Sequence, residues 1–436
     1  MKLKPSTLIV ISFFLVILAG GILLSLPISS STGIPTNFLD AFFTSNSATC
    51  VTGLTVLDTG VHFSLFGLIV LMCLMQVGGL GYMTFSVFAM LILRKKLFVS
   101  ERIMMQEAMN IYSGKEVTEI LKKIFGIVFI IEAIGFLALF MRWAPEFGVG
   151  KGLLYAVFHA ISAFNNAGFA LPPNNASLMP YVTDIIINLT ITTLIILGGI
   201  GFLVITDVLK GRKLSLHSKI VLATTALLLV IGTASILFLE YSNPRTLGPL
   251  SFGNKLLASY FQAVTPRTAG FNTIDTGALF APTLVLIMVL MFIGASPGGT
   301  GGGVKTSTFA VMMGTIRATL KGFKDTIMFR RRVPHETVRR AFTITTLSMF
   351  VIVAAVLILD YFEHFSLIEC AFEVFSAFGT VGLSMGITPK LSSIGKIIII
   401  VVMFIGRVGP LALALTFLIQ QKEPKVEYPK EYISIG

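Results

Sequence analysis

Charge is scarce in this chain. Asp, Glu, Lys and Arg make up 12% of its 436 residues, apolar residues make up 55%, and the mean hydropathy is +0.89. Soluble domains carry about twice that share of charge, which excludes an ordinary water-soluble fold. Cysteine is nearly absent: Cys50, Cys73 and Cys370 are scattered and odd in number, which excludes a disulfide framework or a cysteine metal cluster. The five histidines (His62, His159, His217, His335, His364) are dispersed, no His-Glu-x-x-His occurs, and no nucleophile motif is paired with a base. An intramembrane enzyme is therefore disfavoured. Long polar stretches are missing too. The longest, Arg317 to Arg340, is one linker long, so a regulatory ligand domain is expected on another chain.

What the chain does have is apolar runs of about the 20 residues that a helix needs to cross a bilayer. One set falls near Leu8–Leu26, Ile120–Met141, Ile220–Leu239 and Phe342–Leu359, a second near Phe66–Leu93, Ile185–Val208, Pro282–Thr315 and Ile397–Gln420. The first run follows Lys2 and Lys4 like a signal peptide, but it is longer than such a segment's apolar core and has no cleavage site before Ser29. It reads as a retained span. The net charge of +12 gathers in five places: the N-terminus, Arg94 to Lys123, Lys210 to Lys219, Arg317 to Arg340, and the tail with Lys422, Lys425 and Lys430. Between neighbouring clusters there is room for two spans, so the positive-inside rule puts all five, and both termini, in the cytoplasm of a multi-pass cell-membrane protein. The basic excess is a topology signal, with lipid as the partner and no nucleic acid.

Between paired runs lies a short amphipathic stretch ending in a small polar turn: Val51-Thr52-Gly53, Asn166-Ala167-Gly168, Thr268-Ala269-Gly270 and Thr380-Val381-Gly382. The four glycines recur at intervals of about 100–115 residues, the mark of internal repeats. The expected fold is all-α and integral to the membrane, with four membrane-pore-membrane repeats (eight spans and four re-entrant pore helices) around one central pore. The repeats are expected at 1–100, 101–214, 215–325 and 326–436, the last with the C-terminal tail. The four segments align without gaps: ten residues before each glycine stand Phe43, Phe158, Tyr260 and Phe372, and six before stand Ser47, Ser162, Val264 and Ser376, with Val264 the outlier.

A cation leaving water needs replacement oxygens, and backbone carbonyls supply them without fixed charge. Glycine adopts positive φ cheaply, which lets successive carbonyls face one axis. The twelve turn residues are thus the candidate ion-binding filter, and the short helices aim the negative ends of their dipoles at it. No turn residue is acidic, which favours a monovalent cation. Arg267 is expected to anchor the third turn from behind, and Glu373 to brace the fourth. Asp58 and Asp275, five residues after their glycines, are either attractors at the outer mouth or ordinary solvated loop acids. The competing structural reading is that the glycines merely end short interfacial helices.

The third inner run is interrupted by Gly298-Gly299-Thr300-Gly301-Gly302-Gly303, followed by Val304 and Lys305. Such a segment cannot hold a helix, and irregular backbone at membrane depth is tolerated only inside protein or beside water. It is not a phosphate loop, because Val304 stands where that loop needs glycine. Arg407 is a charge inside the fourth inner run, either facing a partner or snorkelling to the interface. Together Gly298–Gly303, Lys305 and Arg407 form the candidate gate. A secondary carrier coupled to sodium or protons is the alternative, since carriers also use broken helices, but acids suited to midplane coupling are few.

The turns at Cys50–Leu54 and Arg267–Asn272, with Gln76-Val77-Gly78-Gly79-Leu80-Gly81 and the run Gly298–Gly303, resemble the Trk/Ktr/HKT superfamily of potassium transporters, and most of all the membrane subunits (KtrB or KtrD) of bacterial Ktr systems. The resemblance spans nearly the whole chain. It implies K+ as the transported ion at the filter, a gated channel-like pore for uptake, an intramembrane gating loop with Arg407 close to it, a homodimer, and a cytosolic nucleotide-binding ring of the KtrA/KtrC type. It leaves open Na+ as an activator and implies no organic cofactor on this chain. Gly53, where sodium-preferring plant relatives carry serine, fits potassium. The second and fourth turns depart from the pattern of the first and third, the second most of all.

Overall fold

The computed structural model describes residues 5–81, 117–211 and 213–411, with isolated positions 413, 429 and 431. The first inner run beyond residue 81, the fourth beyond 411, Lys2 and Lys4, and most of the basic segment 94–123 and of the tail lie outside the described residues.

One order of elements recurs four times: a long helix, a short helix, a turn, and an apolar helix. The long helices are α1 (Pro5–Ser25), α4 (Val117–Phe147), α8 (Leu216–Glu240) and α12 (His335–Phe362). The short ones are α2 (Phe38–Thr49), α5 (Val149–Phe164), α9 (Phe252–Val264) and α13 (Leu367–Gly379). After the turns come α3 (Leu65–Leu80), α6 (Ile185–Gly199) continued by α7 (Phe202–Leu209), α10 (Ala281–Phe292) continued by α11 (Thr306–Leu320), and α14 (Ser393–Val408). Local chemistry sets the starts. Asn37, Ser64, Asp184, Ser215 and Ser392 each accept a hydrogen bond from the first turn of their helix, and Ser366 with Glu369 forms a capping box. Among the described residues the only strands are Ile327–Met328 and Arg331–Arg332, an antiparallel hairpin within the polar linker.

Three helices, Ile124–Phe147, Leu216–Glu240 and His335–Phe362, are each long and apolar enough to cross a membrane, and the α6–α7 pair qualifies jointly, bent by 99°. Their outward faces are apolar: Ile134 and Met141 on α4, Val230 and Phe238 on α8, and Phe350 and Leu357 on α12 are exposed. Such a surface is stable against lipid and unstable against water.

The inner helices close the molecule. Each packs on the short helix of the next unit: α3 on α5, α6 on α9, α10 on α13, and α14 back on α2. This cyclic packing carries the ends of all four short helices to one centre.

Candidate ion pathway

Each short helix runs straight into its turn, and the four turns share one backbone. The residue two before the glycine is left-handed in every case: Val51 (φ 51°), Asn166 (56°), Thr268 (72°) and Thr380 (50°). The glycines follow at 90°, 74°, 79° and 95°. Two of these non-glycine positions are threonine and one is valine, β-branched residues that disfavour positive φ, so tertiary contacts hold a strained conformation. Alternation of hand along three residues turns successive carbonyls to the same side. Eleven of the twelve turn residues are buried, and Gly382 is half-buried.

The turns meet in a closed ring. A methyl group on Gly53 would lie 2.6 Å from the carbonyl oxygen of Ala167, and one on Gly168 would lie 2.8 Å from that of Ala269. Likewise Gly270 abuts the carbonyl of Val381, and Gly382 abuts that of Thr52. No other residue fits this approach. On one side of the ring lies a cavity of about 330 Å³ lined by all four glycines and by Thr55, Asn175, Asp275 and Ser384 among others.

Hydroxyls brace the turns. The N–H of Gly53 donates to Ser47 Oγ and that of Gly382 to Ser376 Oγ, both at 3.0 Å. Ser162 Oγ instead donates to the Phe169 carbonyl at 2.8 Å. The gapless alignment fails in the third unit. Thr52, Ala167 and Val381 donate their N–H to the carbonyls of Ser47, Ser162 and Ser376, but Ala269 donates to Thr265 rather than Val264. The third turn is one residue tighter, and Thr265 supplies the hydroxyl, to the Phe271 carbonyl at 2.5 Å. Val264 is no outlier; its counterpart position has moved.

The remaining sequence candidates fall as follows. Glu373 is buried and accepts from Ser384 at 2.8 Å and Thr388 at 2.5 Å, holding the loop after the fourth turn. Arg267 is buried, and its Nε has no partner among the described residues. Asp58 accepts from the Asn174 N–H at 2.5 Å, and Asp275 accepts from the Gly277 N–H at 2.9 Å while lining the cavity. His159 packs under Trp143, 4.9 Å between ring centres, with Nδ1 on the Tyr155 carbonyl.

Below the ring, the segment between α10 and α11 is irregular, as expected, and is tied directly to the second and fourth units and through Arg407 to the first. Ser296 and Thr300 donate their N–H to the carbonyls of Gly199 (2.9 Å) and Gly198 (3.1 Å), and Gly298 accepts from the Phe202 N–H at 3.0 Å. Gly302 N–H donates to Thr380 Oγ1 at 3.0 Å, so the loop touches the fourth turn itself. Thr268 Oγ1 presses on Gly301. Lys305 Nζ donates to the Gly301 carbonyl at 2.7 Å. The guanidinium of Arg407 donates to the carbonyls of Thr300 and Gly78. Arg407 therefore faces the loop rather than snorkelling away.

Sequence reasoning expected one broken inner helix, and the structure interrupts three, in the second, third and fourth units, while α3 ends at the matching place. α3 stops before Gly81 (φ 80°), α6 bends at Gly201 (98°), and α14 stops before Gly409 (94°). The signal was a Gly-x-x-Gly pattern: Gly78-Gly79-Leu80-Gly81, Gly198-Gly199-Ile200-Gly201 and Gly406-Arg407-Val408-Gly409, with Gly294-Ala295-Ser296-Pro297 in the third unit. Its leading glycine lets the helix touch the carbonyl ending the short helix: Gly78 on Thr49, Gly198 on Phe164, and Gly406 on Phe378. Arg407 occupies the position of Gly79 and Gly199.

The family model TrkH, a cation transport protein, matches residues 1–428. The chain belongs to the TrkH family of cation transport proteins. It is accordingly a transport protein, not an enzyme, and its apolar helices are those of a multi-pass membrane protein. This TrkH-family chain is 46% identical over 438 residues to the Ktr system potassium uptake protein B of Bacillus subtilis (strain 168), covering 100% of this chain and 97% of the relative. It is 43% identical to the protein of the same name from Vibrio alginolyticus, covering 98% and 94%. It is 41% identical to the potassium/sodium uptake protein NtpJ of Enterococcus hirae, covering 100% and 98%. Among solved structures, the potassium transporter TrkH from Vibrio parahaemolyticus superposes with a TM-score of 0.78 at 18% identity, over 96% of this chain and 85% of that one, a likeness of fold.

Proposed function

We propose that this chain carries potassium into the cell through one gated, channel-like pore, as the membrane subunit of a Ktr-type system. The observation that carries the reading is the closed ring of four glycines, each set against the preceding turn residue's carbonyl in the next unit. K+ sheds water for the carbonyls of Val51–Gly53, Asn166–Gly168, Thr268–Gly270 and Thr380–Gly382. The architecture is four membrane-pore-membrane repeats, eight spans with four re-entrant helices, both termini cytoplasmic. The interrupted inner helices α6–α7, α10–α11 and α14, the end of α3 at Gly81, and the cyclic packing of all four on the short helices support it. The gate is the 298–303 segment under the ring. Lys305 and Arg407 hold it by its carbonyls and set positive charge beside the path, which opposes a passing cation. Opening releases Arg407 from Thr300. The relatives' names, protein B of a Ktr system, support a membrane subunit that works with other components of that system; we take these to be a cytosolic nucleotide-binding ring of the KtrA/KtrC type, serving a homodimer of this chain.

The test is growth of potassium-uptake-deficient bacteria at low external potassium. Expression of this chain together with a regulatory ring is expected to restore growth, with sodium present and absent as separate arms. Failure with a folded, membrane-inserted chain would reject the reading. Flux that follows the potassium gradient without obligatory exchange separates a channel-like pore from a carrier.

A further inference from the structure

A polar cluster lies behind the second turn, and neither filter nor gate uses it. Glu132, midway along the long helix α4, is only 7% exposed. Its Oε1 accepts from Asn165 Nδ2 at 3.1 Å and its Oε2 from Gln76 Nε2 at 3.2 Å. Asn165 Nδ2 also donates to Gln76 Oε1 at 2.7 Å and to the Ile161 carbonyl at 2.9 Å. Among the described residues Glu132 has no basic partner. The donors of the two amides thus converge on one carboxylate.

The cluster touches both rings. Asn165 directly precedes Asn166, the left-handed residue of the second turn. Gln76 stands just before Gly78 and Gly79, the break whose Gly78 carbonyl accepts from Arg407. Asn165 also packs on Gly79 so closely that a methyl group there would lie 2.7 Å from the Asn165 Cβ. The second turn lacks a support that the first and fourth have: Ser162 bonds the Phe169 carbonyl, as Thr265 bonds that of Phe271 in the third, whereas Ser47 and Ser376 hold the filter glycine's N–H. The chemistry demands an acceptor-only group at 132. A glutamine there would set its own NH2 against that of Asn165 or of Gln76, leaving a buried donor unpaired.

We propose that Glu132 is a positioning residue for ion discrimination: through Asn165 it fixes the second filter turn, and through Gln76 it registers that turn against the Gly78–Gly79 break. The inference rests on the filter reading above and names the residue that holds the least conventional of its turns.

The test uses the full chain reconstituted in lipid vesicles, reading the ratio of K+ to Na+ uptake, KM against maximal rate for K+, and thermal unfolding of the purified protein. Glu132→Gln is expected to lower the K+/Na+ ratio about ten-fold, the effect of one unpaired buried donor, and to raise KM more than it lowers the maximal rate. Asn165→Ala is expected to do the same, and the double variant to lose little more, because both act through one network. Glu132→Asp, which keeps the acceptors, is expected to retain part of the discrimination. A folded Glu132→Gln protein with unchanged discrimination, or fully additive losses in the double variant, would overturn the proposal. Should Glu132→Gln not accumulate, Asn165→Ala decides the matter in the same way: lowered discrimination supports the role of Glu132 and unchanged discrimination rejects it. Gly168→Ser is the control for the underlying reading. If it leaves discrimination intact, the filter assignment fails; if it abolishes discrimination while Glu132→Gln does not, only the role of Glu132 fails.

Discussion

The ring of turns and the ring of helix breaks below it are built by opposite rules. In the upper ring the sequences differ, Val-Thr-Gly, Asn-Ala-Gly, Thr-Ala-Gly and Thr-Val-Gly, yet the backbone repeats within about 20° in φ at both left-handed positions. In the lower ring Gly-x-x-Gly recurs in three units, Pro297 replaces its last glycine in the third, and its second residue is Gly79, Gly199, Ala295 or Arg407. On the proposed reading the upper ring would act through carbonyls, so its side chains are free to vary while they keep the conformation. The lower ring would act through side chains and through one inserted loop, so symmetry there is broken. An evenly coordinated ion needs the first arrangement, and a closable path needs the second.

The sharpest way to break this contrast is to make the upper ring unequal. Gly270→Ala would force a methyl group against the carbonyl of Val381 at φ 79°. Gly53→Ser would meet the Ala167 carbonyl at 2.6 Å. Both are expected to cut K+/Na+ discrimination by at least about a hundred-fold, on the order of 3 kcal/mol of lost coordination and added strain, measured as competitive uptake. Equal discrimination in either folded variant would mean the ring is not the filter.

Making the lower ring equal should act on flux instead of selectivity. Arg407→Gly restores the residue found at Gly79 and Gly199 and removes charge-assisted bonds to Thr300 and Gly78. A loss of about 2 kcal/mol from the closed state corresponds to a roughly thirty-fold rise in open population without the cytosolic ring. Deleting Gly298–Gly303 is expected to raise flux at least as far. The measurement is K+ efflux from loaded vesicles. Unchanged flux from a folded Arg407→Gly protein would leave the loop without a gating role.

These two rings were unequally legible in the sequence. The turns could be read because glycine at a strained position has few substitutes, and because a membrane forbids unpaired backbone elsewhere. The segment proposed as the gate was legible for the same reason, six glycines and a proline between Gly294 and Gly303 where a helix should run. The breaks at Gly81, Gly201 and Gly409 were harder. Single glycines are common in apolar helices, and only the shared Gly-x-x-Gly register marks these as equivalent. The shift from Val264 to Thr265 could not be seen by counting back from Gly270, since the helix end and the turn are fixed by different hydrogen bonds. Glu132 was passed over because an acid on an outer span says nothing of which way it faces. Its burial against Asn165 and Gln76 is a product of packing between α4, α5 and α3.

The smallest expected effect lies where the two rings meet. Thr380 belongs to the upper ring by its left-handed backbone (φ 50°) and to the lower one by its hydroxyl, which accepts from the Gly302 N–H at 3.0 Å. Thr380→Val keeps the β-branched shape and removes only that acceptor. The buried Gly302 N–H would lose its partner in the closed loop, at a cost of about 1 kcal/mol, or roughly a five-fold rise in leak flux. Because the carbonyl at 380 is unaffected, K+/Na+ discrimination is expected to stay unchanged. Thr380→Ser keeps the hydroxyl and should leave leak near the parent level. If Thr380→Val instead lowers discrimination and leaves leak alone, the side chain serves the filter, and the division of labour between the rings is wrong at the one residue they share.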